Sequence, residues 1–108
     1  MHNPEVLVVL VNASSEDEAL RIARAVVDER LAASANLIPN VRSIYRWKGS
    51  VEDELETTMV IKTVPGRLQA LTRRIVDLHS YDVPEVIALS VIRGHEPYLN
   101  WVRKNTTS

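Results

Sequence analysis

The residues best suited to chemistry gather in one short stretch, His79-Ser80-Tyr81-Asp82-Val83-Pro84-Glu85. An imidazole a few positions from two carboxylates can make a site for Cu2+ or Zn2+, so His79, Asp82 and Glu85 are the candidate metal ligands. His79 also falls at the C-terminal end of a predicted helix, where capping of the last carbonyls is favoured by the helix dipole. On that argument capping outweighs ligation. His2 sits at a chain terminus and His95 at a predicted helix start, and neither carries weight as a ligand. A second group, Tyr45, Trp47, Lys62 and Tyr81, combines aromatic rings with a cation and could line a small-ligand cleft. The competing reading, preferred on residue types alone, is that the aromatics pack a subunit interface.

Other chemistries find no support. There is no nucleophile motif, no phosphate-binding glycine loop with its lysine and no H-E-x-x-H, and the chain has only three glycines. The absence of cysteine excludes disulfides, thiolate catalysis and every cysteine-containing metal site. Glu52-Asp53-Glu54 lacks the spacing of a calcium loop and reads as a solvated hairpin tip. A net charge of −1 offers no footprint for nucleic acid or anionic lipid. The apolar run Val6 to Val11 is too short to span a bilayer and lacks the flanks of a signal peptide. The expected location is therefore cytoplasmic, with no membrane insertion, and no enzymatic activity is expected.

The elements that must position these residues are legible in the periodicity. At 108 residues, 45% hydrophobic and 25% charged, the chain reads as one globular domain over residues 1–108. Glu5 to Val11 is a β-branched and leucine run that suits a central strand buried on both faces. Ser15 with Glu18 has capping-box spacing, and a helix follows with its stripe at Ala19, Ile22, Ala23, Val26, Val27 and Leu31, ending near Ala33 or Ser34. Asn36 to Pro39 predicts an edge strand or a bulge, because proline cannot donate to a ladder.

The dominant stretch is Val41 to Val64, two alternating arms joined at Lys48-Gly49-Ser50, with the acidic segment from Gly49 to Glu54 placed in solvent. Each arm could reach roughly ten residues against a usual strand length of about five or six. Pro65-Gly66 opens a second helix with Leu68, Leu71, Ile75 and Leu78 inward. Val86 to Ile92 predicts a second strongly buried strand, and Glu96-Pro97 opens a last helix with a frayed tail from Asn105. The order βαββαβ plus a short helix predicts an α+β, ferredoxin-like domain with helices on one face of an antiparallel four-stranded sheet. The bare face and the long hairpin both require cover from other copies of the chain.

These residues resemble the CutA family of divalent-cation tolerance proteins over nearly the whole length. The resemblance is carried by Ala13-Ser14-Ser15-Glu16, Glu29-Arg30-Leu31-Ala32-Ala33, Asn36-Leu37-Ile38-Pro39, Ser43-Ile44-Tyr45-Arg46-Trp47-Lys48-Gly49, Ile61-Lys62-Thr63, His79 to Glu85 and Tyr98-Leu99-Asn100-Trp101. The Y-x-W-x-G and H-x-Y-x-x-P-E segments, in this order and at this distance, make it specific. The resemblance implies a tight homotrimer, an architecture similar to the PII signalling proteins, and a part in tolerance of copper and other divalent cations without established catalysis. It implies a divalent metal, Cu2+ or Zn2+, as the bound group, and folding is not expected to require it.

The chain departs from the family where soft metals would bind. Ser34 stands where many relatives have cysteine, Val11 where some do, and Ser80 where proline is usual. Metal binding would then rest on His79 with oxygen donors and would be weaker. The alternative function is a PII-like sensor whose intersubunit cleft, lined by Tyr45, Trp47, Lys62, Tyr81 and Glu85, holds a small anionic metabolite.

Overall fold

In the computed structural model, which describes residues 5–107, β-branched and leucine-rich segments pair into one antiparallel sheet. The elements in order are β1 (Leu7–Ala13), α1 (Glu16–Asp28), β2 (Ser34–Trp47), β3 (Ser50–Thr63), α2 (Pro65–Leu78), β4 (Val86–Ser90) and α3 (Glu96–Lys104). The strand order is β2-β3-β1-β4, the ferredoxin-like order expected from the sequence.

Alternation decides what is buried. Leu7, Val9, Val11 and Ala13 of β1 and Thr57, Met59, Ile61 and Thr63 of β3 point under the helices. They meet Ala19, Ile22, Ala23 and Val26 of α1 and Leu71 and Ile75 of α2. Each fully buried side chain of this size contributes roughly 1.5–3 kcal/mol. A smaller cluster of Val6, Ala33 and Val102 seats α3.

The other face of the sheet, with Val8, Leu10, Ile87 and Leu89, has no helix over it among the described residues. Here β1 departs from the expected strand buried on both faces, since Val8 and Leu10 are only half-buried. The departure at β4 is larger. It is an edge strand ending at Ser90, with Ile87 and Leu89 about half exposed, not a strongly buried one. An apolar strand at an uncovered edge leaves backbone groups and side chains open to pairing.

Helix α1 stops at Asp28, earlier than the apolar stripe suggested. The Arg30 N–H donates to Val27 O (3.1 Å) and the Leu31 N–H to Val26 O (2.9 Å), a Schellman closure with Arg30 at φ 62° where glycine is usual. That strained backbone aims the guanidinium at the end of α3. Arg30 Nε donates to Thr107 O (2.9 Å) and Nη2 to Lys104 O (3.1 Å). With Thr106 buried, this pins a tail that the sequence suggested was frayed. Val27, assigned to the apolar stripe, is exposed, on the same side of α1 as Leu20 seven residues before it, which is exposed as well.

The hairpin is longer than its sequence reading. Trp47 pairs with Ser50, so the turn is only Lys48-Gly49, at φ 49° and 82°, as a two-residue type I′ turn requires. The acidic run Glu52-Asp53-Glu54, expected in a loop, is therefore ladder within β3. Pro39 and Asn40 (φ 59°) occupy a register shift in the edge strand β2, as proline there requires. Pairing of β3 with β1 ends at Thr57, leaving Val41 to Glu56 as a two-stranded ribbon. At about 3.3 Å per residue its seven free residues per strand project roughly 23 Å. The Cα radius of gyration is 14.4 Å, against about 13 Å for a compact chain of this length. Ile44, Val51 and Leu55 on the ribbon are 67%, 62% and 62% exposed.

Candidate functional site

The loop after α2 is held against the ends of β1 and the ribbon by side chains that point inward from distant parts of the chain. His79 is the C-cap of α2 and is buried. Its Nε2 lies 2.7 Å from Asn12 O at the end of β1, and the Tyr81 N–H donates to its Nδ1 (3.1 Å). Nδ1 is thus an acceptor, and Nε2–H donates to the carbonyl. Both ring nitrogens are committed to backbone.

Glu18 is the second brace. It is 4% exposed, at the third position of α1, and the Glu18 N–H donates to Ser15 Oγ (3.1 Å). The carboxylate departs from the reciprocal capping box by reaching past Ser15. Its Oε1 accepts from Ser14 N (3.0 Å) and Ser14 Oγ (2.9 Å), and its Oε2 from Ser80 N (2.8 Å). Burial pushes this carboxyl up, but the donors of Ser80 and Ser14 more than offset it and hold it at about 2. One side chain joins the start of α1 to the loop beyond α2.

Between this loop and the ribbon opens a cleft of about 660 Å³, lined by Ser43, Ile44, Tyr45, Trp47, Glu54 and Glu56 on one side and Tyr81, Asp82, Val83 and Glu85 on the other. Asn12 forms its floor, receiving a hydrogen bond from Thr58 Oγ1 (2.6 Å) and facing Glu85 Oε1 at 3.4 Å. Tyr81 OH crosses to donate to Glu56 Oε2 (2.6 Å), and Tyr45 OH donates to Glu54 Oε2 (3.1 Å). Burial, then the hydrogen bond to Glu56 and its charge, push the Tyr81 hydroxyl well above its ordinary range. Burial and Glu54 push Tyr45 upward too. Both phenols are therefore donors at neutral pH, unsuited to act as bases or nucleophiles.

The sequence candidates divide on this geometry. Tyr45, Trp47, Tyr81, Asp82 and Glu85 all line the cleft. Lys62 does not. It pairs with Ser34 near the opposite end of β3 and its Nζ donates to Asn36 Oδ1. The set His79, Asp82 and Glu85 is not assembled as metal ligands: among the described residues no three His, Cys, Asp or Glu groups converge to hold an ion. The reason is local, since the capping and bracing bonds of His79 consume its lone pair and its N–H. His95 is the N-cap of α3 without a side-chain cap bond, and His2 lies outside the described residues. The lining carries four carboxylates, Glu54, Glu56, Asp82 and Glu85, and no lysine or arginine.

Glu18 and Glu56 were missed as site residues. Glu18 carried a signal, its capping-box spacing, but its second partner lies 62 residues away. Glu56 sits in a polar strand with no local mark, 25 residues from Tyr81.

The family model "CutA1 divalent ion tolerance protein" matches residues 7–105. The divalent-cation tolerance protein CutA of Thermus thermophilus is 44% identical over 99 residues, 92% of this chain and 96% of that one. A solved structure of the Thermus thermophilus protein superposes with a TM-score of 0.92 at 43% identity, covering 94% of this chain and 99% of that one. Human protein CutA is 50% identical over 103 residues, 95% of this chain but 58% of its own length. A relative from Arabidopsis thaliana named chloroplastic is 38% identical over 100 residues, 93% of this chain and 55% of that protein. With a matching family model over most of the chain, relatives this similar and the same fold, the chain belongs to the CutA1 divalent ion tolerance family.

Proposed function

We propose that this chain acts as a non-enzymatic homotrimer in divalent-cation tolerance, and that it does so by binding a small ligand in the cleft between the loop His79 to Glu85 and the ribbon. The observation that carries the reading is the construction of that cleft. Its loop is braced by Glu18, His79 and Tyr81, while its lining offers no nucleophile with a base beside it. Such a site is built to bind, in the manner of a sensor. Association is supported by the uncovered apolar face and the exposed ribbon. The number three comes from the family likeness.

Direct coordination of Cu2+ or Zn2+ by one chain has less support, because His79 would first have to give up Asn12 and Tyr81. No helix among the described residues is long and apolar enough to cross a membrane, and the proposed location is the cytoplasm.

Two measurements test this reading. Light scattering should give three times the chain mass, and Leu89→Glu on the uncovered face should dissociate the assembly. A monomeric parent would refute the trimer. Equilibrium dialysis against Cu2+ and Zn2+ should show no stoichiometric binding at micromolar metal. One ion per chain, lost in His79→Ala, would refute binding through the cleft and restore the metal site at the end of α2.

A further inference from the structure

We infer that a second copy of this chain lays its edge strand β4, Val86–Ser90, antiparallel along residues 34–38 of β2, and that this contact, repeated head to tail, closes the assembly into a ring. The inference rests on the association proposed above and names the surfaces that make it.

The sheet order β2-β3-β1-β4 leaves two edges with no further strand bonded to them among the described residues. Edge strands are ordinarily guarded by charge, proline or a bulge. Most of the open edge here is guarded in that way. Beyond residue 38, β2 carries Pro39 with its register shift and then Arg42 and Arg46. The stretch of β3 that leaves β1 behind carries Glu52, Asp53 and Glu54. Two segments lack any guard. Residues 34–38 and Val86–Ser90 contain neither a charged residue nor a proline, and both are five residues long. Ile38, Ile87 and Leu89 in them are about half exposed.

Direction follows from the topology. Three antiparallel steps separate β2 from β4, so the two strands run in opposite senses within one chain. Rotation about an axis along the strands keeps those senses and brings β2 of one copy antiparallel to β4 of the next. Pairing β4 with β4 would leave residues 34–38 of both copies open. Pairing β4 with β2 uses every unguarded segment, and a heterologous contact ends in a ring when its rotation closes. The bare face with Val8 and Leu10 then turns toward the axis, and the helices stay outside.

The faces also fix the parity of the register. Ala35 and Leu37 oppose Ile61 and Met59, on the helix side of the sheet, and Ala88 opposes Val9 on that side. Asn36 and Ile38 share the bare side with Ile87 and Leu89. A continuous sheet keeps these sides together, because a slip of one residue would exchange them. Ala35 therefore faces Ala88 or Ser90 of the next copy, never Leu89. Glu85 directly precedes β4, so the loop His79 to Glu85 of that copy comes to lie beside the ribbon where β2 continues past Asn40. Each ribbon then stands between two such loops, its own across the cleft and that of its neighbour.

The chain has no cysteine, which makes the contact directly readable. Opposed residues of an antiparallel pair have Cα atoms roughly 4.5–5.5 Å apart, within the span of a disulfide. Full-length Ala35→Cys/Ala88→Cys and Ala35→Cys/Ser90→Cys are oxidised with diamide and run on non-reducing gels, beside the reduced proteins in light scattering. Parent mass for the reduced variants shows that they fold and associate as the parent does. One of the two pairs should give covalent dimers and trimers, and Ala35→Cys alone should give neither. Efficient cross-linking of Ala35→Cys/Leu89→Cys in place of both would overturn the register. A trimeric mass with no cross-link from either pair would overturn the edge contact and leave the trimer standing. Cross-linked ladders that run past three would keep the edge contact and refute the number three, and a monomeric parent would refute both.

Discussion

Replacing Glu18 by Gln keeps the shape of the brace and removes its charge. The carboxyl sits at about 2 in the folded chain against an ordinary 4.5. A difference of that size corresponds to about 3 kcal/mol of stability at neutral pH. Because the folded value is the lower one, this stability is complete above the ordinary value and drains away as pH falls from about 4.5 toward 2. Glu18→Gln should therefore be about 3 kcal/mol less stable than the parent at neutral pH. In urea, with a slope of roughly 1.5–3 kcal/mol/M, the midpoint falls by about 1–2 M. Near pH 2 the two proteins should approach one another, since the parent carboxyl is then about half protonated in the folded chain and little of its charge-dependent stability remains. The assay is urea unfolding of both proteins at a series of pH values and one fixed concentration, because unfolding coupled to dissociation depends on concentration. Other carboxylates titrate in both proteins alike and cancel in the difference. A variant within 1 kcal/mol of the parent at neutral pH, or a gap that does not close with acid, would refute the account of Glu18 as the charged link between α1 and the loop after α2.

Three more outcomes are expected. Arg30→Gly relaxes the left-handed backbone but removes the guanidinium from Lys104 O and Thr107 O; amide exchange in α3 should quicken while that in α1 stays slow, and unchanged α3 protection would refute the anchor. Lys48→Asn places Asn-Gly in the type I′ turn and should raise the melting temperature slightly, by a few tenths of a kcal/mol in stability; a fall would contradict the turn assignment. Ser34 Oγ is buried without a hydrogen-bond partner among the described residues, so Ser34→Ala should stabilise the chain, by up to about 1 kcal/mol in calorimetry. A loss there would mean the hydroxyl has a partner in the assembly.

Periodicity reaches only what neighbours along the chain can decide. The alternation of Thr57, Met59, Ile61 and Thr63, the stripe of α1 and the proline start of α2 each reflect a side-chain period set by local backbone geometry, and they place four strands and three helices. The same local logic makes the length of the hairpin and the bare sheet face legible before any contact is known. Local rules also fail where local signals compete. The apolar run past Asp28 reads as helix, yet a left-handed arginine ends it, and the acidic run Glu52 to Glu54 reads as loop, yet a two-residue turn makes it strand.

The site itself belongs to the tertiary structure. Glu18 meets Ser80, His79 meets Asn12, Tyr81 meets Glu56 and Arg30 meets the end of α3 only after the sheet has brought segments 25 to 77 residues apart into contact. Residue types could nominate His79 as a ligand, but only folding shows that both its nitrogens are spent on backbone. They could nominate Lys62 for the cleft, but the register of β3 puts it near the far end of the strand. The charge of the cleft is likewise a sum over side chains from separate strands and a loop, and no window of sequence contains it.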